Sequence, residues 1–390
     1  MLNFVHDIPT KLYFGRGQIE RLSQVLAPFG KRVLLTYGGG SIKKTGLYDT
    51  VMGILAEGGF QVTELPGIEP NPRIESVEKG VKLCRENGID VILAVGGGST
   101  IDCSKAIAVG VYYEGDDLWE MVKNAHSQAK KALPLVDVLT LSATGSEFDG
   151  GGVISNMTTN EKLGAAFIYP SASICDPIYT FTVSKYQTAA GSADIMSHIF
   201  EDYFSRTPDS DLSDGIAETI LKSVMKNTPI ALAKPDDYSA RANLMANASV
   251  ACSGIPEYGK QPTAWPCHAM EHPLSAYYDI THGVGLAILT PRWMRFILKK
   301  DPGCAWRFVR MAKNVFGLTG EDDMALARAG IDALEAYFRS TGIPMSLGEL
   351  GIGVEHFADM AAKANADGQL ENAFVPLTDE DVVAIYTACL

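Results

Sequence analysis

The stretch VILAVGGGSTID, residues 91–102, decides how this chain is read. Its first five residues are apolar without a break, the pattern of a strand buried on both faces of a parallel sheet. Three glycines and a serine follow, and then the helical CSKAIAVGV. Consecutive glycines let a backbone approach a phosphate closely, and the N–H groups at a helix start then face the anion. A tight strand-to-helix turn with no ligand is the alternative for Gly96, Gly97, Gly98 and Ser99, because the spacing is not the G-x-G-x-x-G fingerprint. Ser99 supplies either a hydroxyl donor or a helix cap.

The same grammar extends on both sides. KRVLLTYGGG is a strand ending in glycines, TGLYDTVMGILAEGG a helix, FQVTELPG a strand and IESVEKGVKLCRENGID a helix. This alternation implies a parallel sheet covered by helices. PLVDVLTLSATGSE adds a strand with a polar turn, and GGVISNMTTNEKLGAAFIYPSASICD a hairpin and a last short strand. From about Thr182 the spacing of apolar residues changes to three and four, as in VSKYQTAAGSADIMSHIFEDYFS. The expected organisation is therefore an α/β domain over residues 1–184 and an all-helical domain over 185–390, two cores being usual at this length.

Three of the seven histidines fall within PCHAMEHPLSAYYDITHGVG, residues 266–285. His268 and His272 are four apart and share a helix face, as do Asp194 and His198. Imidazole and carboxylate together suit Zn²⁺ or Fe²⁺ better than Ca²⁺ or Mg²⁺. Spacing alone leaves metal ligands, a proton relay and satisfied core histidines all open. In TYGGGSIKKTG, no carboxylate occurs between Tyr37 and Gly46. A carboxylate there would grip a ribose 2′-hydroxyl and repel a 2′-phosphate. Gly39, Gly40 and Ser41, with Lys43 and Lys44 nearby, point instead to NADP(H).

In combination and order, these motifs resemble the iron-containing (group III) alcohol dehydrogenases over essentially the whole chain. GGGSTID is similar to the family's phosphate loop and TLSATGSE to its Thr/Gly/Ser/Glu turn, here with Ser142-Ala143 where many relatives carry Ala-Gly. GSADIMSHIFE and HAMEHPLSAYYDITHG are similar to its two metal-binding stretches, and PTKLYFGRG to its first strand. TYGGGSIKKTG and GIEPNPR look most like the NADPH-dependent butanol dehydrogenase and aldehyde reductase branch.

The resemblance implies a Rossmann-like, dehydroquinate synthase-like α/β domain and an all-α metal-binding domain. It implies one Fe²⁺ or Zn²⁺ held by Asp194, His198, His268 and His282. His272 would stand beside the ion as the catalytic proton relay. Gly96, Gly97, Gly98 and Ser99 would cradle the cofactor pyrophosphate near Asp102; Thr140, Ser142 and Thr144 would line the cofactor cleft, and Lys162 would reach its ribose. The implied reaction is hydride transfer between NADP(H) and a small alcohol or aldehyde such as butanol or butyraldehyde, in a homodimer. A metal-dependent hydrolase or an enzyme of the dehydroquinate synthase type is the alternative on this architecture.

A net charge of −13 argues against nucleic acid, whose phosphates need a basic face. No segment approaches the roughly 18 apolar residues that span a bilayer. Seven scattered cysteines without a C-x-x-C pair, and an N-terminus without a signal-like apolar run, lead to the expectation of a cytoplasmic protein.

Overall fold

The strand expected at residues 91–95 forms as Val91–Gly96, near the middle of a six-stranded sheet. The computed structural model describes all residues, Met1–Leu390. In chain order the strands are β1 (Lys11–Phe14), β2 (Arg32–Tyr37), β3 (Gln61–Leu65), β4 (Val91–Gly96), β5 (Leu135–Leu139), β6 (Gly151–Asn156), β7 (Glu161–Ala166) and β8 (Ala172–Cys175). Six of them make one sheet in the order β1-β8-β5-β4-β2-β3, with every pair parallel. β6 and β7 form a separate antiparallel hairpin.

The unbroken apolar run of β4 has a direct structural cause. Val91, Leu93 and Val95 join a core on one face of the sheet with Val33, Leu35 and Leu55. Ile92 and Ala94 join the opposite core with Ile101, Ile107 and Val77. Side chains alternate along a strand, and helices cover both faces, so no position in β4 is left for a polar residue.

Strand order also locates the ligand edge. β2 pairs with β3 on one side and β4 on the other, so the chain's winding reverses between β2 and β4. Ligands of open α/β sheets bind outside the carboxyl ends at such a switch point. Register sets Tyr37 beside Val95 and Gly96 beside Leu139. The glycines after β2, the glycines after β4 and the turn after β5 thus adjoin at one sheet edge.

This α/β unit comprises Asp7–Val183 and Pro235–Ser249; the other unit comprises Met1–His6, Ser184–Lys234 and Val250–Leu390. The expected fold class, parallel sheet followed by helices, is what forms. The units are not contiguous in sequence, however. The helix Tyr238–Ala251 lies within the expected all-helical span 185–390, yet its Met245 is buried in the core that holds Ile154 and Phe167. Ser249 Oγ donates to Glu147 Oε1 at 2.5 Å. An apolar helix face does not encode which core it joins. Conversely, Leu2 N donates to Gly259 O at 2.8 Å and Phe4 stacks on Tyr258, which fastens the first residues to the helical unit.

Within the helical unit, Lys185–Tyr203 is buried continuously from Thr188 onward, so it is a central helix rather than an amphipathic surface one. Ser184 caps it by accepting from Gln187 N. Around it run Asp211–Ala233, Pro266–Tyr278 and His282–Lys300. No helix of the chain is long and apolar enough to cross a membrane.

Candidate active site

The buried helix Lys185–Tyr203 carries Asp194 and His198 one turn apart. Pro266–Tyr278 carries His268 and His272, and His282 is the first residue of His282–Lys300. Asp194 Oδ1 lies 3.8 Å from His198 Nε2, 3.9 Å from His268 Nε2 and 3.7 Å from His282 Nε2. The three imidazoles therefore address a single carboxylate oxygen. The atoms offered by Asp194, His268 and His282 all lie within 4.8 Å of one another. His198 joins them through Asp194, and its ring stacks on that of His268 with centroids 4.7 Å apart. His272 stands to one side; its ring nitrogen groups with His282 and Glu271, not with Asp194.

Burial tunes this centre. Asp194, His198 and His268 are buried, while the His282 side chain keeps 21% of its surface exposed. Desolvation, reinforced by the neighbouring His268 and His282, holds His198 well below the usual imidazole range. A neutral imidazole offers a lone pair, which is what a metal needs. Two carboxylates that sequence reading did not single out stand behind the rings. Glu201 Oε1 accepts from His268 N at 3.0 Å and lies 3.1 Å from His268 Nδ1. Glu271 Oε2 is hydrogen-bonded to His282 Nδ1. Both lie inside the quoted histidine motifs, Glu201 one turn beyond His198 on the same helix face. Membership of those motifs was the only signal, because local spacing pairs neither carboxylate with the histidine it bonds.

At the ligand edge of the sheet, the glycines are required by packing. A Cβ on Gly96 would meet Thr100 Oγ1 at 2.4 Å, and one on Gly98 would meet Thr144 Oγ1 at 2.2 Å. Thr140 N donates to Gly96 O at 2.9 Å, and Ser146 N to Thr144 Oγ1 at 3.2 Å. Ser142 Oγ is buried without a hydrogen-bond partner. The helix Gly98–Gly110 has Gly97 as its N-cap and no side-chain cap, so of the two roles considered for Ser99 the cap is not formed. Asp102 is buried and accepts from Ser146 Oγ at 2.5 Å and Val153 N at 3.0 Å. Burial pushes its carboxyl up to about 6. Asp102 thus ties the helix Gly98–Gly110 to the turn after β5 and to β6. Lys162 is buried on β7 opposite Ser155.

After β2, Gly39 is exposed with nothing near an added Cβ, Gly40 has φ +99°, and Ser41 opens the short helix Ser41–Lys44. Lys43 Nζ sits over the rings of Tyr37 and Tyr48, 5.1 and 4.5 Å from their centroids. Both tyrosine hydroxyls donate to Glu64 on β3, at 2.6 and 3.0 Å. The tertiary structure therefore does bring an acid near this loop, and it occupies both oxygens of that acid.

A family model described as iron-containing alcohol dehydrogenase matches residues 9–177, and one for the C-terminal region of the Fe-containing alcohol dehydrogenase family matches 188–390. The chain belongs to the iron-containing alcohol dehydrogenase family. It is 52% identical over 391 residues to NADH-dependent butanol dehydrogenase A of Clostridium acetobutylicum, covering 99% of each chain. To the NADPH-dependent aldehyde reductase YqhD of Escherichia coli it is 38% identical, over 90% of each chain. The crystal structure of NADH-dependent butanol dehydrogenase A from Thermotoga maritima superposes with a TM-score of 0.94 at 40% identity, covering 100% of this chain and 99% of that one.

Membership in the iron-containing alcohol dehydrogenases brings a divalent metal and a nicotinamide cofactor, and the residues present suit the metal. His268 Nε2 is buried with no hydrogen-bond partner, facing Asp194. Ligands at about 2.1 Å in tetrahedral array stand about 3.4 Å apart, close to the separations around Asp194 Oδ1.

Proposed function

We propose that this chain is a metal-dependent alcohol dehydrogenase that reduces small aldehydes such as butyraldehyde, and oxidises the matching primary alcohols, with NADP(H). The observation that carries the reading is the convergence of three imidazole Nε2 atoms, at 3.7–3.9 Å, on one buried oxygen of Asp194. Asp194, His198, His268 and His282 would hold Fe²⁺ or Zn²⁺. Bound there, the ion supplies Lewis acidity to a carbonyl or alcohol oxygen.

The chain's own residues do the rest. Gly96, Gly97, Gly98 and Ser99 bind the pyrophosphate with backbone N–H groups at a helix start. Thr140, Ser142 and Thr144 line the nucleotide on the neighbouring turn, and Lys162 contributes toward its ribose. Asp102 positions that turn through Ser146. His272, half-buried with its ring centroid 5.9 Å from that of His282, passes the proton that the product oxygen needs once hydride has reached carbon. Lys105 is not a candidate base, because Asp149 and Gly151 O hold its Nζ at 2.8 and 2.7 Å.

The NADP(H) preference rests on Gly39, Gly40 and Ser41. The stretch Tyr37–Gly46 itself offers no carboxylate to exclude a 2′-phosphate, and both oxygens of the nearby Glu64 are engaged by Tyr37 and Tyr48. Lys43, over the tyrosine rings, and Lys44 are both exposed cations of the loop. The relatives' names fall on both sides of this choice, NADH for the butanol dehydrogenases and NADPH for the aldehyde reductase.

A homodimer formed through the edge strand β1, with no nucleic-acid or membrane partner, belongs to the same reading. So does a cytoplasmic location, in line with seven free cysteines. Loss of NADPH absorbance on adding butyraldehyde to metal-loaded protein tests the function. A hydrolase, or an enzyme of the dehydroquinate synthase type, would leave NADPH unchanged, and that result would defeat the proposal.

A further inference from the structure

Glu271 is fully buried, and sequence similarity to metal-binding stretches assigns it nothing. Its Oε2 is hydrogen-bonded to His282 Nδ1, and its Oε1 accepts from Ser275 Oγ one turn along the same helix. A buried carboxylate is costly unless its oxygens are hydrogen-bonded, and both of these are. Space for it is kept by the neighbouring helix. A Cβ on Gly285 would come within 2.8 Å of Glu271 Cγ and 3.1 Å of Oε1.

We infer that Glu271 is a positioning residue for the metal centre. Its carboxylate accepts the Nδ1–H of His282, fixes the tautomer that leaves Nε2 with a lone pair, and aims that atom at the site shared with Asp194. Ser275 and Gly285 fix Glu271 in turn, one by a hydrogen bond and the other by leaving room. The arrangement repeats at His268, where Glu201 Oε1 lies 3.1 Å from Nδ1. It is absent at His198, whose Nδ1 is buried without a hydrogen-bond partner. Two of the three imidazoles are thus oriented by a carboxylate. His282 needs this most, because it is the most exposed of them and starts its helix with no turn before it.

The inference rests on Asp194, His198, His268 and His282 being the metal ligands, and the test separates the two claims. Metal-free protein is titrated with Zn²⁺ against a competing chelator for wild type, Glu271→Gln, Gly285→Ala and His282→Ala. Loss of an outer carboxylate on a ligating histidine weakens metal binding roughly 10–100-fold, and that is expected for Glu271→Gln. Gly285→Ala crowds the same carboxylate and weakens binding in the same direction. In the Co²⁺-loaded proteins the ligand-field bands of both variants shift, which a role confined to packing would not produce. Thermal melting of the metal-free forms reports whether either variant is misfolded. If His282→Ala loses metal while Glu271→Gln and Gly285→Ala bind with wild-type affinity, the positioning role is overturned and the ligand set stands. If His282→Ala itself keeps wild-type affinity, the ligand set falls and the inference falls with it.

Discussion

Gly283 lies directly against Ala190: a Cβ on Gly283 would come 2.0 Å from the Ala190 carbonyl oxygen. The helices Lys185–Tyr203 and His282–Lys300 meet at this point. One helix carries Asp194 and the other begins with His282, so the missing methyl group allows the close approach of two elements that bear proposed metal ligands. Gly283→Ala must push the helices apart, at about 1–3 kcal/mol for overpacking. The expected outcome is reduced metal content with a lowered melting temperature of the metal-free protein. Full metal content in the purified variant would show that the close approach is irrelevant to the site.

The roles of the histidines separate by metal analysis. His268→Ala and His282→Ala remove ring nitrogens 3.9 and 3.7 Å from Asp194 Oδ1 and, on the proposed ligand set, are expected to lose metal and activity together. His272→Ala is expected to keep its metal and to lose roughly 10²–10⁴-fold in kcat, the usual contribution of a positioned proton donor. Equal metal loss in His272→Ala and His268→Ala would contradict the division.

Cofactor choice is tested at Gly39, where an added side chain meets nothing within 4 Å and the backbone is not left-handed. Gly39→Asp therefore changes charge without strain. Hydrogen bonds to a charged group are worth about 1.5–3 kcal/mol, so wild type is expected to favour NADPH over NADH by at least roughly tenfold in kcat/KM. The aspartate should erase or reverse this with metal content unchanged. Equal kcat/KM values for both cofactors in the wild type would remove the basis for the preference.

Stability should depend on pH through Glu147. Burial pushes its carboxyl from 4.5 up to about 7, against the hydrogen bond from Ser249. Between those values the folded chain holds a proton that the unfolded chain releases. The folded state binds more protons, so this contribution is full at low pH and is lost as pH rises to about 7. Glu147→Gln keeps an acceptor for Ser249 and removes the loss. Its melting temperature should rise relative to wild type between about pH 5 and pH 8, by an amount equivalent to at most about 3 kcal/mol. A difference that does not change with pH would refute the assignment.

The fold class was legible in residues 91–102 because a strand buried on both faces has no freedom to be polar, and because three consecutive glycines after it mark a strand-to-helix turn. The candidate site stretches were legible as pairs four apart, since helix geometry alone places Asp194 with His198 and His268 with His272, though that spacing left their role open. Convergence of those pairs is a different matter. It depends on the 2.0 Å constraint at Gly283, on Glu201 and Glu271 behind the rings, and on a helix packing that no local spacing encodes. The same holds at the loop after β2: the stretch 37–46 contains no acid, yet sheet pairing brings Glu64 beside it and two tyrosines take its oxygens. It holds for the helix Tyr238–Ala251, whose apolar face is plain in the sequence while its destination, the core around Ile154 and Phe167, is not. Local periodicity is written along the chain by backbone geometry. Which faces meet is decided by packing between residues far apart in sequence, and that is where the convergence of the histidines on Asp194, the rings' orientation and the surroundings of the loop after β2 are settled.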